Sequence, residues 1–499
     1  MGKDNFYKNS FLLTASNITT GILGFIFSIY LSHILGPEGM GLYNLVMPIY
    51  NLFICIMSAG VSASVSQISA VYIEKKENRN LTKMIKTIAY FNLVWGIFIS
   101  VLVFVCAPFI GKYGISDIRT IDSLKIICPA MIFIALSNIL KGYFWGTSKI
   151  SIPAAIDILE KALRILIVAI LLFIFKTSNL TTIVTLCYFA LCLGELQSLI
   201  LLYFYYKHTS KMLPVSNEKT ERRSQLLFNI LILCLPLTLN GFLSNIFNTL
   251  STLIIPRCLV TAGFSHTEAL SLIGKFTGMA MTIIGMPLIV VSSINTLLIP
   301  NLSQLLARGR LDQASSRIFR VIKISFLLGL ATTVICLLIP DEIGKLFYQR
   351  DDLGAYIKYS GLSASVFFVS VTMFGIMNGM NKQSTILINS LIIAVLELIG
   401  LFIFTSIPSI NIYGYAITLF ITSLISFILN YYQIRKEVFI DLSISNILIY
   451  ILLSYLLYFC LNFIKKLFLP LNVFSILIIL AFVFVFFIFM EKFGENTIN

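Results

Sequence analysis

The chain divides into long apolar stretches with little polar sequence between them, and this limits its fold more than any other feature. Runs of about 20 apolar residues, the length a helix needs to cross a bilayer, recur along its whole length. They lie near 10–34, 42–73, 84–106, 123–145, 150–174, 180–206, 226–252, 270–299, 315–339, 356–378, 382–406, 410–434, 442–463 and 470–490. The pattern predicts an all-α polytopic membrane protein with fourteen transmembrane helices. Hydrophobic residues make up 58% of the 499 and charged residues 12%, and the mean hydropathy is +0.94. A string of soluble domains is excluded by these values. The net charge of +14 suggests nucleic acid in a soluble protein. Here it fits basic loops on one side of a membrane, because segments assigned inside hold roughly twice the Lys and Arg of those outside. Both termini are thereby predicted to be cytoplasmic, in a multi-pass cell-membrane protein with no nucleic-acid partner. Lys3 and Lys8 precede the first run with no convincing cleavage site, so that run reads as a first transmembrane helix.

One span is more charged than a span should be. KISIPAAIDILEKALRILIVAILLFIF (149–175) carries Asp157, Glu160, Lys161 and Arg164 in its first half. At 100° per residue these four share one helix face. Asp157 precedes Lys161 by four residues and Glu160 precedes Arg164 by four, the acid-first order that pairs best. A charge at bilayer depth costs about 2.5–3.5 kcal/mol on insertion scales, so four of them need partners, a wet cavity, or both. Two readings follow: a self-neutralising helix contact, or a polar lining for a central cavity that handles an anionic substrate.

The rest of the chain supplies the surroundings. GPEGMG (36–41) reads as a tight outer turn. SAGVSASVSQIS (58–69) reads either as a polar groove or as simple close packing. KGYFWGTSK (141–149) places aromatic residues at an interface, and Glu195 and Gln197 lie at mid-depth in the sixth span. Asn240, Asn245 and Asn248 share adjacent faces of the seventh. Pro236, Pro256, Pro287 and Pro300 predict interruptions in the later helices. The basic connector at 74–86 suits anionic headgroups, and 207–225 reads as a linker.

The pattern then repeats. GTSKIS from Gly146 returns as GMNKQS from Gly379, and the same offset carries LTKMIKTI from Leu81 onto ASSRIFRV from Ala314. This predicts a parallel duplication, with a six-helix bundle at 1–206, a linker at 207–225, a second bundle at 226–434, and two further helices at 435–499. The offset sets Arg164 opposite Glu397, the only charge well inside the eleventh span, across a central cleft. Arg257 and Lys275 fall near its expected outer mouth, where interfacial anchoring would serve equally well.

Catalytic constellations are missing. There is no GxGxxG, no Walker sequence, no acidic metal motif and no Ser/His/Asp set. Nine cysteines are scattered without a CxxC pair, and His33, His208 and His266 are far apart. The reading is therefore no enzyme, no metal and no cofactor, leaving a secondary transporter or flippase.

Three segments carry a family resemblance: ILGPEGMGLYNLVMPIYN (34–51), GYFWGTSKISIPAAIDILEKALRI (142–165) and LIIPRCLVTAGFSHTEALSLIGKFTGMA (253–280). Through them the chain resembles the multidrug/oligosaccharidyl-lipid/polysaccharide exporter superfamily, specifically the stage V sporulation protein B and polysaccharide-biosynthesis group, over about twelve helices. The resemblance implies a fold like that of the MATE exporters, with two pseudo-symmetric six-helix bundles around a V-shaped cavity. It also implies alternating-access flipping of an undecaprenyl-pyrophosphate-linked saccharide, a peptidoglycan precursor for the spore cortex being the leading cargo. Membrane lipids and cell-wall synthesis machinery are the implied partners. Relatives that flip such precursors carry arginines in the first helix, where this chain has Gly21 and Ser28. Pyrophosphate contact then falls to Lys161, Arg164 and Arg257, within a candidate set that also contains Asp157, Glu160, Lys275 and Glu397. The alternatives are a cation-coupled multidrug exporter and a non-transporting scaffold for wall assembly. Helices 1 and 7 contain no Asp or Glu, which counts against the exporter.

Overall fold

The computed structural model describes residues 3–212, 214, 221–440, 444–467 and 473–493, with side chains left out at 3–11, 240, 467, 492 and 493. Asn240 and the N-terminal lysines therefore lie outside the described side chains. All regular structure among the described residues is helical. The helices are α1 (Lys3–Ser58), α2 (Val61–Glu74), α3 (Asn78–Phe109), α4 (Ile121–Gly146), α5 (Ser151–Phe175) and α6 (Leu180–Lys211). They continue as α7 (Arg223–Thr261), α8 (His266–Ile273), α9 (Met281–Ala307), α10 (Leu311–Leu338), α11 (Pro340–Tyr348) and α12 (Gly354–Leu362). The last five are α13 (Ala364–Gly379), α14 (Gln383–Thr405), α15 (Tyr413–Arg435), α16 (Ile444–Leu467) and α17 (Val473–Phe493).

Among the described residues, eleven helices are long and apolar enough to cross a membrane, or up to twelve if α12 and α13, bent by 48°, form one span. The fourteen expected are not reached on those grounds. That count takes Leu12–Glu74 as a single segment and does not include α5, whose first half holds the four charges. The expected turn at 36–41 reduces to one residue. Gly36, at φ 62°, breaks α1, and helix resumes at once because Pro37 is pre-set for a first helical position. Pro287 and Pro300, expected to interrupt, sit inside α9, while Pro236 and Pro256 lie within α7.

The chain packs as two compact units, residues 1–27 with 42–253 and residues 28–41 with 254–499. In the first, α4 is the central helix, packed on α2, α3 and α6. Gly142 and Gly146 let α2 approach: a Cβ on them would lie 2.6 Å from the Ser62 carbonyl oxygen and 2.4 Å from that of Ser66. The serine-rich run is thus a close-packing surface, with Ser64 and Ser69 buried. Tyr143 and Phe144 are core residues rather than interfacial aromatics, and only the neighbouring Trp145 is exposed.

The second unit repeats the plan in its own residues. There α13 is central, on α9, α10 and α15, and the glycines recur as Gly375 against Asn295 and Gly379 against Leu302. The left-handed residues Lys76, Ser116 and Ser148 recur at the same offset as Gly309, Gln349 and Asn381. Polar bonds tie α13 to its neighbours: Thr372 donates to Ser325 at 2.6 Å and Ser370 to Ser426 at 2.9 Å. The two C-terminal helices are pinned to this unit by charge, through Lys465–Glu342 at 2.8 Å and Arg320–Glu491 at 3.3 Å.

Segment 28–41 meets α8 backbone to backbone. A Cβ on Gly41 would stand 2.1 Å from the Leu270 carbonyl oxygen, and one on Gly274 would stand 1.8 Å from that of Pro37. Gly274→Ala should therefore force the helices apart and cost about 1–3 kcal/mol, the usual range for overpacking. Gly285→Ala, with nothing within 4 Å of the added carbon, should leave stability unchanged. Thermal unfolding of both variants in detergent checks the contrast; equal midpoints would contradict the close approach.

Candidate functional site

The charged face of α5 meets α4 and α6 inside the first unit. Glu160 and Glu195 are among the few buried carboxylates, 6% and 8% exposed, and one guanidinium serves both. Arg164 donates through Nε to Glu160 Oε1 at 2.8 Å and through Nη2 to the same oxygen. Nη2 also reaches Glu195 Oε1 at 3.4 Å. Arginine suits this position because its planar fork presents several fixed donors and is always charged. Gly194 provides the room, since a Cβ there would lie 2.7 Å from Glu160 Oε1.

Asp157 does not pair with Lys161. Its carboxylate is held by Lys141 of α4, Nζ to Oδ1 at 2.7 Å. Six charges gather here: Asp157, Glu160 and Glu195 against Lys141, Lys161 and Arg164. They sum to zero. Lys161 is the one cation of the six without a hydrogen bond or an ion pair among the described residues, and it is half-buried. In the same unit the Tyr50 hydroxyl and the Gln197 amide are buried without hydrogen-bond partners among the described residues, leaving polar groups that helix packing does not satisfy.

Glu195 and Lys141 escaped the candidate set. Glu195 was signalled by being an acid at mid-span; Lys141 was masked by aromatic neighbours that gave it the look of an interfacial anchor.

The other three candidates belong to the second unit. Lys275 pairs with Asp352 at 2.8 Å and lies over the Tyr356 ring. Arg350 also pairs with Asp352, at 2.7 Å. Asp352 sits in the loop between α11 and α12, and Arg350, with Lys275 behind it, holds its carboxyl well below the usual carboxylate range. Lys275 is thus occupied in a structural clamp. Arg257 is exposed late in α7 and Glu397 is half-buried in α14 near Tyr415; both are engaged in interactions. Among the described residues no group of three or more His, Cys, Asp or Glu side chains is placed to hold a metal ion.

The chain is similar to known proteins over most of its length. A family model described as polysaccharide biosynthesis protein matches residues 6–306. Stage V sporulation protein B of Bacillus subtilis (strain 168) is 25% identical over 84% of this chain and 81% of its own length. Lipid II flippase MurJ of the same organism is 21% identical over 79% and 76%. Among solved structures, lipid II flippase MurJ in an inward closed conformation aligns with a TM-score of 0.73 at 15% identity, covering 98% of this chain and 100% of that one. An inward-facing MATE family multidrug resistance transporter aligns with a TM-score of 0.67 at 15% identity, over 84% and 95%. Those two likenesses establish the fold. The chain, a multi-pass membrane protein and not an enzyme, belongs to the polysaccharide biosynthesis protein family and shares the fold of that flippase and that transporter.

Proposed function

We propose that this protein is a flippase for a polyprenyl-pyrophosphate-linked saccharide, moving it across the cytoplasmic membrane by alternating access. A peptidoglycan precursor is the leading cargo, in keeping with the relatives that are a sporulation protein and a lipid II flippase. The observation that carries the reading is Lys161. It is an ammonium inside a transmembrane helix, half-buried beside a fully paired arginine, with no hydrogen bond or ion pair among the described residues. A cation kept at membrane depth at that cost is a functional group by default, and a pyrophosphate head is the anion this cargo would offer it. Arg164, expected to share the contact, serves in this reading as the fixed base under the site. Membrane potential assists outward movement of the dianionic head by about 2.3 kcal/mol per charge per 100 mV.

The topology we infer has fourteen crossings: α1 counted twice about Gly36 (its second part with α2), α12 with α13 as one, and α5 included despite its charges. Both termini are then cytoplasmic, and the halves at 1–206 and 226–434, joined by 207–225 and followed by 435–499, are the duplicated units. Cation-coupled export of small molecules is the rival reading, favoured by the buried acids Glu160 and Glu195.

Two variants separate these roles. Lys161→Ala should weaken head-group recognition by about 10–100-fold, the value of a charged hydrogen bond. Lys161→Arg should restore most of it, measured as flipping of a lipid-linked saccharide in proteoliposomes. Unchanged flipping by Lys161→Ala would remove the basis of the proposal, and uptake of cationic drugs at the expense of flipping would favour the rival.

Arg164→Ala should instead fail as a protein. Stranding two buried carboxylates costs about 3–5 kcal/mol, while Arg164→Met combined with Glu160→Gln and Glu195→Gln should recover much of the loss. Thermal unfolding of purified variants reads this directly; a stable Arg164→Ala single variant would contradict the clamp.

A further inference from the structure

The first unit carries a groove that the transport reading does not use. It lies among α3, α4 and α6 and encloses about 820 Å³, within the size range of pockets that hold small ligands. Its deep end is walled by Leu93, Leu136 and Ile200, and its mouth is set with Lys86, Lys207 and Lys211. All three lysines are exposed, and none of their side chains makes a hydrogen bond or ion pair among the described residues. The open side is flanked by the outward-facing rings of Tyr203 and Phe204, as a surface turned to lipid would be.

The dimensions follow from the helix. From Ile200 to Lys211 along α6 is about 17 Å, close to the depth of one leaflet of a hydrocarbon core about 30 Å thick. The groove therefore runs from headgroup level towards the bilayer centre, apolar along its length and cationic only at one end. A free soluble anion would gain the lysines but leave the apolar wall uncovered. A zwitterionic lipid would cover the wall but offer the lysines no net charge.

We propose that this groove is a binding site for an acidic phospholipid of the bilayer, its phosphate held by Lys86, Lys207 and Lys211 and its acyl chains lying along α6. The inference stands apart from the identity of the cargo, since none of the six residues belongs to the charged cluster of α5.

The test uses the full-length protein, delipidated in detergent and re-exposed to phosphatidylglycerol or phosphatidylcholine, with bound lipid counted by native mass spectrometry. Wild type should retain one phosphatidylglycerol in preference to phosphatidylcholine, and raised salt should loosen it. At about fivefold per lysine, the triple change K86A/K207A/K211A should weaken retention roughly a hundredfold. Ile200→Trp, which fills the deep end and leaves every charge in place, should also reduce it. Unchanged thermal unfolding shows that both variants are folded. Equal retention of the two lipids, wild-type retention by the triple variant, or indifference to Ile200→Trp would each overturn the proposal. So would exclusive retention of a polyprenyl phosphate, which would assign the groove to cargo.

Discussion

A single guanidinium shared by two buried carboxylates is the constraint from which the polar interior of the first unit follows. An ion removed from water loses several kcal/mol that only well-formed pairing returns, and Glu160 and Glu195 are both deeply buried. Arg164 is the donor that reaches both. Once it is committed, its neighbours have few choices. Asp157, two turns earlier on the same face, takes its partner from another helix, Lys141 of α4. Gly194 stays without a side chain because the Glu160 carboxylate occupies that space. Charge balance then assigns Lys161 to the cluster as a whole instead of to one acid. Its spare charge offsets the second carboxylate on Arg164 from a distance, which leaves its ammonium donors open.

The duplicated frame and the charge cluster have different distributions. Glycines at the central helix recur at the same offset, as Gly142 and Gly146 and then Gly375 and Gly379, each against a neighbouring helix. The left-handed residues recur with them. The charges do not. Under that offset Lys141, Asp157, Glu160, Lys161 and Glu195 fall on Phe374, Ser390, Ile393, Ala394 and Ile428, and only Arg164 lands on another ionisable residue, Glu397. Close packing in lipid depends on small residues wherever helices cross, so both halves keep them. Buried ions are costly and are held where something uses them. The asymmetry thus sets the shared scaffold apart from the chemistry placed in one half of it.

How much of this was legible in the sequence depended on the range of each interaction. The Glu160–Arg164 pair could be read because it joins residues four apart on one helix. The Lys141–Asp157 pair and the reach of Arg164 to Glu195 could not, because they depend on which helices pack side by side. Lys141 was further disguised by its aromatic neighbours, two of which turn out to be core. The two short matches were legible because both sit at connectors whose left-handed residues recur at the same offset. Span counting by apolarity fails at α5 for a physical reason, as the charges that make the helix interesting are the ones that hide it. The prolines misled as well. A proline in a helix interior removes one hydrogen bond and crowds the preceding turn, a cost that packing within α9 absorbs without a break at Pro287 or Pro300.

On the proposed flippase reading, the division of labour between Arg164 and Lys161 also bears on how cargo is bound. A site that holds cargo too well cannot let it go, and a free arginine at this depth would grip a pyrophosphate with two parallel bonds. Here the fork is already filled by Glu160 and Glu195, so the stronger phosphate ligand is withheld. The group left open is a lysine, a compact, strongly hydrated point charge on a flexible stem. The acids gathered in the same cluster, Glu160, Glu195 and Asp157, temper it further. On the proposed flippase reading, moderate affinity then follows from the cluster's stoichiometry. Three acids set against three bases leave one cation exposed to a ligand and none in excess.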